Sequence, residues 1–138
     1  MADGKGRPLA AMLESASRYE AHLGAPVLDL VRVRRKKGAP RMRPDTLVAD
    51  RGYDSDDFRD ELRKRGIRPC IPFKRSRRPR PGPKPDLGAY RQRWRIEHLF
   101  ARLGYNRRLI TRWESSTHNF LAFIFIARAL LCLQRFSG

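Results

Sequence analysis

The 138-residue chain carries 31 lysines and arginines against 14 acids, a formal net charge of +17, and 41% of its residues are apolar. That apolar fraction supports one packed domain and excludes wholesale disorder. Cys70 and Cys132 match no zinc spacing and no disulfide-dense secreted scaffold, which fits a reducing cytosol. A charge excess of this size reads as the footprint of a polyanionic partner, nucleic acid first.

The opening MADGKGRPLA has no apolar core of signal-peptide length. After the Gly4–Gly6 turn, Pro8 to Leu13 reads as a strand. Residues 25–33, APVLDLVRV, have Pro26 near their start and apolar residues at 27, 28, 30, 31 and 33, so they read as a helix. Residues 34–44 read as a basic loop. Asp45 to Asp50, DTLVAD, reads as a buried strand ending on Asp50. Ser55 followed by Asp56 and Asp57 is N-cap and first-turn chemistry. A helix is therefore expected from Asp56 to Arg65, burying Phe58 and Leu62, with Gly66 at its C′ position. Ile67 to Ile71 reads as the next strand, completing a right-handed βαβ unit with a parallel pair.

Residues 73–85, FKRSRRPRPGPKP, hold four prolines and six basic residues, which excludes helix and central strand. They read as a basic, Pro-rich loop, bounded at 73–88, within a domain covering 1–138. Leu87 to Leu103 reads as one helix, with Ile96, Leu99, Phe100 and Leu103 on its apolar stripe. A turn near Gly104 to Asn106 precedes a very apolar helix from His118 to Phe136. Its unbroken apolar run ends at Arg128, too short to span a bilayer, so a buried C-terminal helix with no membrane association is expected.

Charge is not spread evenly. Residues 32–49 carry seven basic side chains against one acidic, and residues 74–95 carry nine against one. Both segments read as nucleic-acid contacts: Arg34, Arg35, Lys36 and Lys37 in the first; Lys74, Arg75, Arg77, Arg78 and Arg80 in the second. Arg107 and Arg108 join them. Between the two segments lies an acidic island, residues 50–60, with five acids against two bases. It reads either as a solvated, capped helix start or as the seat of a functional carboxylate.

If 87–103 is one helix, a turn of about 100° per residue places Tyr90, Arg93 and Glu97 on one stripe. Glu97 is the only acid between Asp86 and Glu114. It reads either as a surface ion pair with Arg93 or as a carboxylate facing a catalytic pocket. Asp3 before a glycine turn, Asp50 at a strand end and Glu97 on a helix are three hard oxygen donors from different elements. Such sets suit Mg²⁺, and two ions so held would serve phosphodiester chemistry.

The block ADRGYDSDDFRDELRKRGIRPCIP (49–72), followed by YRQRWRIEHLFARLGYNRRLITRWE (90–114), resembles the catalytic half of DDE-type insertion-sequence transposases. The insertion-sequence-five family is the nearest in look. DGKGRPLA (3–10) is similar to that family's segment around its first catalytic Asp. The resemblance implies an α/β, RNase H-like fold, a mixed sheet flanked by helices. It implies Asp3, Asp50 and Glu97 as the catalytic and metal-binding triad for two Mg²⁺ or Mn²⁺ ions. Tyr90 and Arg93 are implied as the accessory helix signature. That signature's last basic member falls here on Gly104, with Arg107 or Arg108 as substitutes.

Only two residues precede Asp3, where the family has a buried strand. The expected domain is therefore truncated, its first strand largely missing. The implied function is DNA cleavage and strand transfer at insertion-sequence ends. The implied partners are double-stranded DNA, an upstream transposase half and a second copy of the chain, in a bacterial cytoplasm at the nucleoid. The competing expectation is a DNA-binding remnant or regulator without catalysis. A third, an RNA-binding basic protein, lacks aromatic-rich single-strand motifs.

Overall fold

The computed structural model describes residues 1–14, 19–74, 86–111 and 113–134. The chain divides into two compact units, Ser15–Arg93 forming one and Met1–Glu14 with Trp94–Gly138 the other.

The first unit is an α/β layer. It contains α1 (Glu20–Asp29), β1 (Thr46–Val48), a 3₁₀ turn (Arg51–Tyr53), α2 (Asp56–Lys64), β2 (Arg68–Cys70) and α3 (Leu87–Arg91). β1 and β2 pair in parallel, with Thr46 opposite Arg68 and Val48 opposite Cys70. This is the expected strand–helix–strand unit, each strand three residues long rather than five or six. α2 starts where its chemistry dictates, with the Ser55 hydroxyl accepting from the Phe58 N–H. It ends in a Schellman motif: Gly66 N–H donates to Arg63 and Ile67 N–H to Leu62, both at 2.8 Å, with Gly66 at φ +71. Phe58 and Leu62 are buried together with Leu28, Val31, Leu47, Ile67, Cys70 and Ile71.

α1 departs from expectation at both ends. It begins five residues before the predicted Ala25 and stops at Asp29, with Pro26 inside it. The terminal turn tightens through i to i−3 bonds, Leu30 to Val27 and Val31 to Leu28. Val33 then leaves to pair with Arg41. Gly24 is where α1 meets α2: a Cβ there would stand 2.3 Å from the Phe58 ring.

The second unit contains α4 (Trp94–Gly104), α5 (Arg107–Ile110) and α6 (Thr117–Leu133). The expected strand Pro8 to Leu13 is not formed. A single antiparallel bridge joins Ala2 to Pro8, and Pro8 has no N–H with which to continue a ladder. The expected single helix 87–103 is two helices. Gln92 and Arg93 N–H groups turn back to Ala89 and Tyr90 at 3.0 Å each, an i to i−3 closure that ends α3 before α4 begins. α5 follows the turn expected near Gly104 to Asn106. α6 matches the expected C-terminal helix over its described length, and residues 135–136 lie outside the described residues. It is not the buried helix expected. Ala127 and Leu131 are buried, whereas Phe125, Ile126, Leu130 and Leu133 stay about half exposed. No helix among the described residues is long and apolar enough to cross a membrane.

Candidate functional site

Asp3 sits in a tight turn that its own carboxylate organises. Oδ1 accepts from the Lys5 and Arg7 backbone N–H groups at 2.9 Å each. Oδ2 is held by Arg7, with Nε and a terminal nitrogen both at 2.6 Å. Burial pushes the Asp3 carboxyl up, but these bonds to Arg7 and Lys5 outweigh it and hold the group below its ordinary value. Gly6, at φ +72, brings the turn against α4, where a Cβ would lie 3.5 Å from the Arg95 carbonyl oxygen.

Beside this turn is a cavity of about 160 Å³ lined by Lys5, Gly6, Trp94, Arg95, His98, Leu99 and Arg102. The Trp94 and His98 rings meet edge to face, 6.1 Å between centroids. The Arg95 guanidinium lies 5.7 Å from the Trp94 centroid. Three cations around an aromatic edge can attract an anionic group. Glu97 lies in the first turn of the same helix and is exposed. There a carboxylate complements the positive end of the helix dipole.

Asp50 belongs to the α/β unit. It follows β1 and caps the 3₁₀ turn, its Oδ1 accepting from the Gly52 N–H at 2.8 Å. Among the described residues, no group of three or more His, Cys, Asp or Glu side chains could hold a metal ion. Tyr90 and Arg93 are neighbours, the guanidinium 5.8 Å from the ring centroid. Because the helix breaks between Arg91 and Trp94, the single-helix stripe joining them to Glu97 does not form.

The candidate DNA contacts fall into three groups. Arg34, Arg35, Lys36 and Lys37 are exposed. Lys74 is turned to the protein, its ammonium bonded to the Tyr19 hydroxyl and 4.5 Å from the Tyr19 ring centroid. Arg107 and Arg108 lie exposed on α5. Arg108 pairs with Glu114 at 3.1 Å and lies 5.0 Å from the Phe123 centroid. Arg75, Arg77, Arg78 and Arg80 lie outside the described residues.

Sequence reasoning missed the buried centre of the acidic island. Asp54 and Arg59 form an ion pair at 2.9 Å, with side chains 0% and 5% exposed. Arg59 also donates to the Ile71 carbonyl at 2.6 Å and lies 4.5 Å from the Phe73 centroid. Asp54 Oδ2 accepts from the Lys74 N–H at 2.8 Å. A helical wheel carries the signal for Arg59, which lies about 60° from Leu62 on the apolar side of α2.

Residues 1–132 match the family profile described as "Transposase DDE domain". The chain belongs to the DDE transposase family. It is similar to the "Putative transposase for insertion sequence element IS402" of Burkholderia cepacia, 37% identical over 131 residues. That alignment takes in 94% of this chain and 59% of the relative, so the transposase chain spans under two thirds of that protein's length. No solved structure matches. Asp50, just past β1, and Glu97, on α4, both fall within the matched residues.

Proposed function

We propose that this chain is a catalytic portion of a DNA transposase, RNase H-like in architecture, that cuts and rejoins phosphodiester backbones at insertion-sequence ends. The match of residues 1–132 to the transposase DDE domain carries the reading. The +17 charge supports a DNA partner. The setting would be a bacterial cytoplasm, at the nucleoid, with an upstream transposase half and a second copy of the chain as partners.

Such chemistry calls for Mg²⁺ or Mn²⁺ on Asp3, Asp50 and Glu97. Carboxylates are the right donors for hard cations, but Asp3, as its turn holds it, does not fit the pair of ions. Both Asp3 oxygens are filled by four donors from Arg7 and Lys5. Besides offering Asp50 and Glu97, the chain is read as holding DNA. Arg34, Arg35, Lys36 and Lys37 present cations to phosphate, and Arg107 and Arg108 on α5 add two more. The same filled carboxylate favours a second reading, a DNA-binding protein that does not cut by itself.

The two separate in one assay: nicking of a supercoiled plasmid carrying the element's ends, with Mn²⁺ and with chelator. It is run with this chain alone and with the remainder of a full-length transposase supplied. Metal-dependent nicking in either arrangement supports the catalytic reading. DNA binding without nicking in both leaves the binding protein.

A further inference from the structure

Residues 30–44 contain seven cations, no acid and no aromatic residue. Residues 25–33 read as a helix and 34–44 as a loop in the sequence, yet the structure closes 33–41 into a finger. Val33 and Arg41 exchange both backbone hydrogen bonds at 2.8 Å, an antiparallel pair. Gly38 near the tip takes φ +82. Residues 32–40 are exposed throughout.

The cations divide into two sets. Those at the base are tied to protein. Arg32 donates to the Asp29 and Val31 carbonyls. Arg41 pairs with Asp45 at 2.6 Å and donates to the Arg43 carbonyl. Arg43 reaches the Arg65 carbonyl at 2.6 Å, and Arg65 in turn grips Asp29 and Glu61. The finger is thereby anchored to the C-terminal ends of α1 and α2. Arg34, Arg35, Lys36 and Lys37 have no such tie among the described residues and stand open to solvent.

We propose that residues 33–41 form a fixed basic finger that seats on the sugar–phosphate backbone of duplex DNA. Arg34, Arg35, Lys36 and Lys37 make the contacts, and the Val33–Arg41 pair aims them. The proposal rests on the DNA reading above and adds how this segment binds. Four adjacent cations without an aromatic platform suit phosphates rather than unstacked bases. A finger whose ends are already paired loses less freedom when it binds than an open loop would.

The test is anisotropy titration of the full chain with a labelled DNA duplex of arbitrary sequence, a DNA single strand and an RNA duplex, each across a range of salt. Neutralising Arg34, Arg35, Lys36 and Lys37 to Ala should flatten the plot of log K against log salt by about 3 to 4, from ~0.9 per phosphate contact. Val33→Pro removes the bridge N–H without changing charge and should weaken duplex binding about three- to tenfold. Gly38→Val, charge-neutral and strained only at the tip, should do the same with an unchanged thermal melt. Wild-type affinity in Gly38→Val with the melt unchanged would overturn the aiming role. An unchanged salt slope in the quadruple variant would remove the finger from the interface. Equal or tighter binding to single-stranded DNA or to the RNA duplex would overturn the duplex assignment. Absence of any DNA binding by the wild-type chain at low salt would overturn the DNA-holding reading on which the finger rests, separately from the finger itself.

Discussion

Arg7 folds back onto Asp3 and grips one carboxylate oxygen through two nitrogens at 2.6 Å, while the other oxygen receives two backbone N–H groups at 2.9 Å. The residue that sequence resemblance offers as a metal ligand therefore already has a full set of partners within four residues of itself. It organises the turn that Gly6 presses against α4.

This pairing makes stability depend on acid. The folded Asp3 carboxyl titrates below its ordinary 3.8, so its stabilisation is complete above that value and is lost as pH falls through the lowered folded one. Asp3→Asn should cost about 0.5 to 1 kcal/mol near neutral pH, as expected of a partly exposed pair. Urea midpoints of variant and wild type should converge at acid pH. A difference that stays constant across the range would exclude the ionised pair as its source.

Asp54 and Arg59 should be far less forgiving. Asp54→Ala leaves a buried guanidinium without its counter-charge, a change worth about 3 to 5 kcal/mol. The pair also spans Ile71, Phe73 and Lys74, so the loss should loosen the chain leaving β2. Equilibrium unfolding measures the first effect, and hydrogen exchange at the Lys74 amide the second.

Gly24→Ala sets helix propensity against packing. Alanine favours α1 by about 1 kcal/mol, but its Cβ would stand 2.3 Å from the Phe58 ring. Overpacking of this kind costs about 1 to 3 kcal/mol, so net destabilisation is expected. Phe58→Leu in the Gly24→Ala background should recover part of it. Additive losses would mean that the two residues do not compete for the same space.

In the plasmid assay with the full transposase complement, Asp50→Asn and Glu97→Gln should abolish metal-dependent nicking while DNA binding holds or tightens slightly, since each removes a negative charge near phosphate. Asp57→Asn, in the first turn of α2, is the control and should nick normally. Full activity in Glu97→Gln would remove Glu97 from the site.

What the sequence made legible follows from how local each cause is. Ser55, Asp56, Asp57 and Gly66 specify both ends of α2 through neighbours a few residues away, and the apolar runs on either side specify the parallel pair. α1 lies earlier than the pattern suggests because Pro26, a residue that favours a helix's first turn, sits inside it. The break at Gln92 and Arg93 was hidden because Ile96, Leu99, Phe100 and Leu103 all lie in α4 and are silent about α3. Asp54 and Arg59 looked like solvent charges among others, because only tertiary packing buries them. The finger was invisible for a similar reason: the Val33–Arg41 pair crosses a stretch with no alternating apolar pattern.

The short parallel pair also orders the events of folding. β1 and β2 offer only three residues each, and no tight turn can join parallel strands. Between them the chain crosses through α2, and a folding transition state that already contains this crossover would make the pairing depend on that helix. Ser55 and Gly66, which start and stop it, would then act on the rate of assembly as well as on the finished fold. Weakening the Ser55 cap should slow refolding, with little acceleration of unfolding.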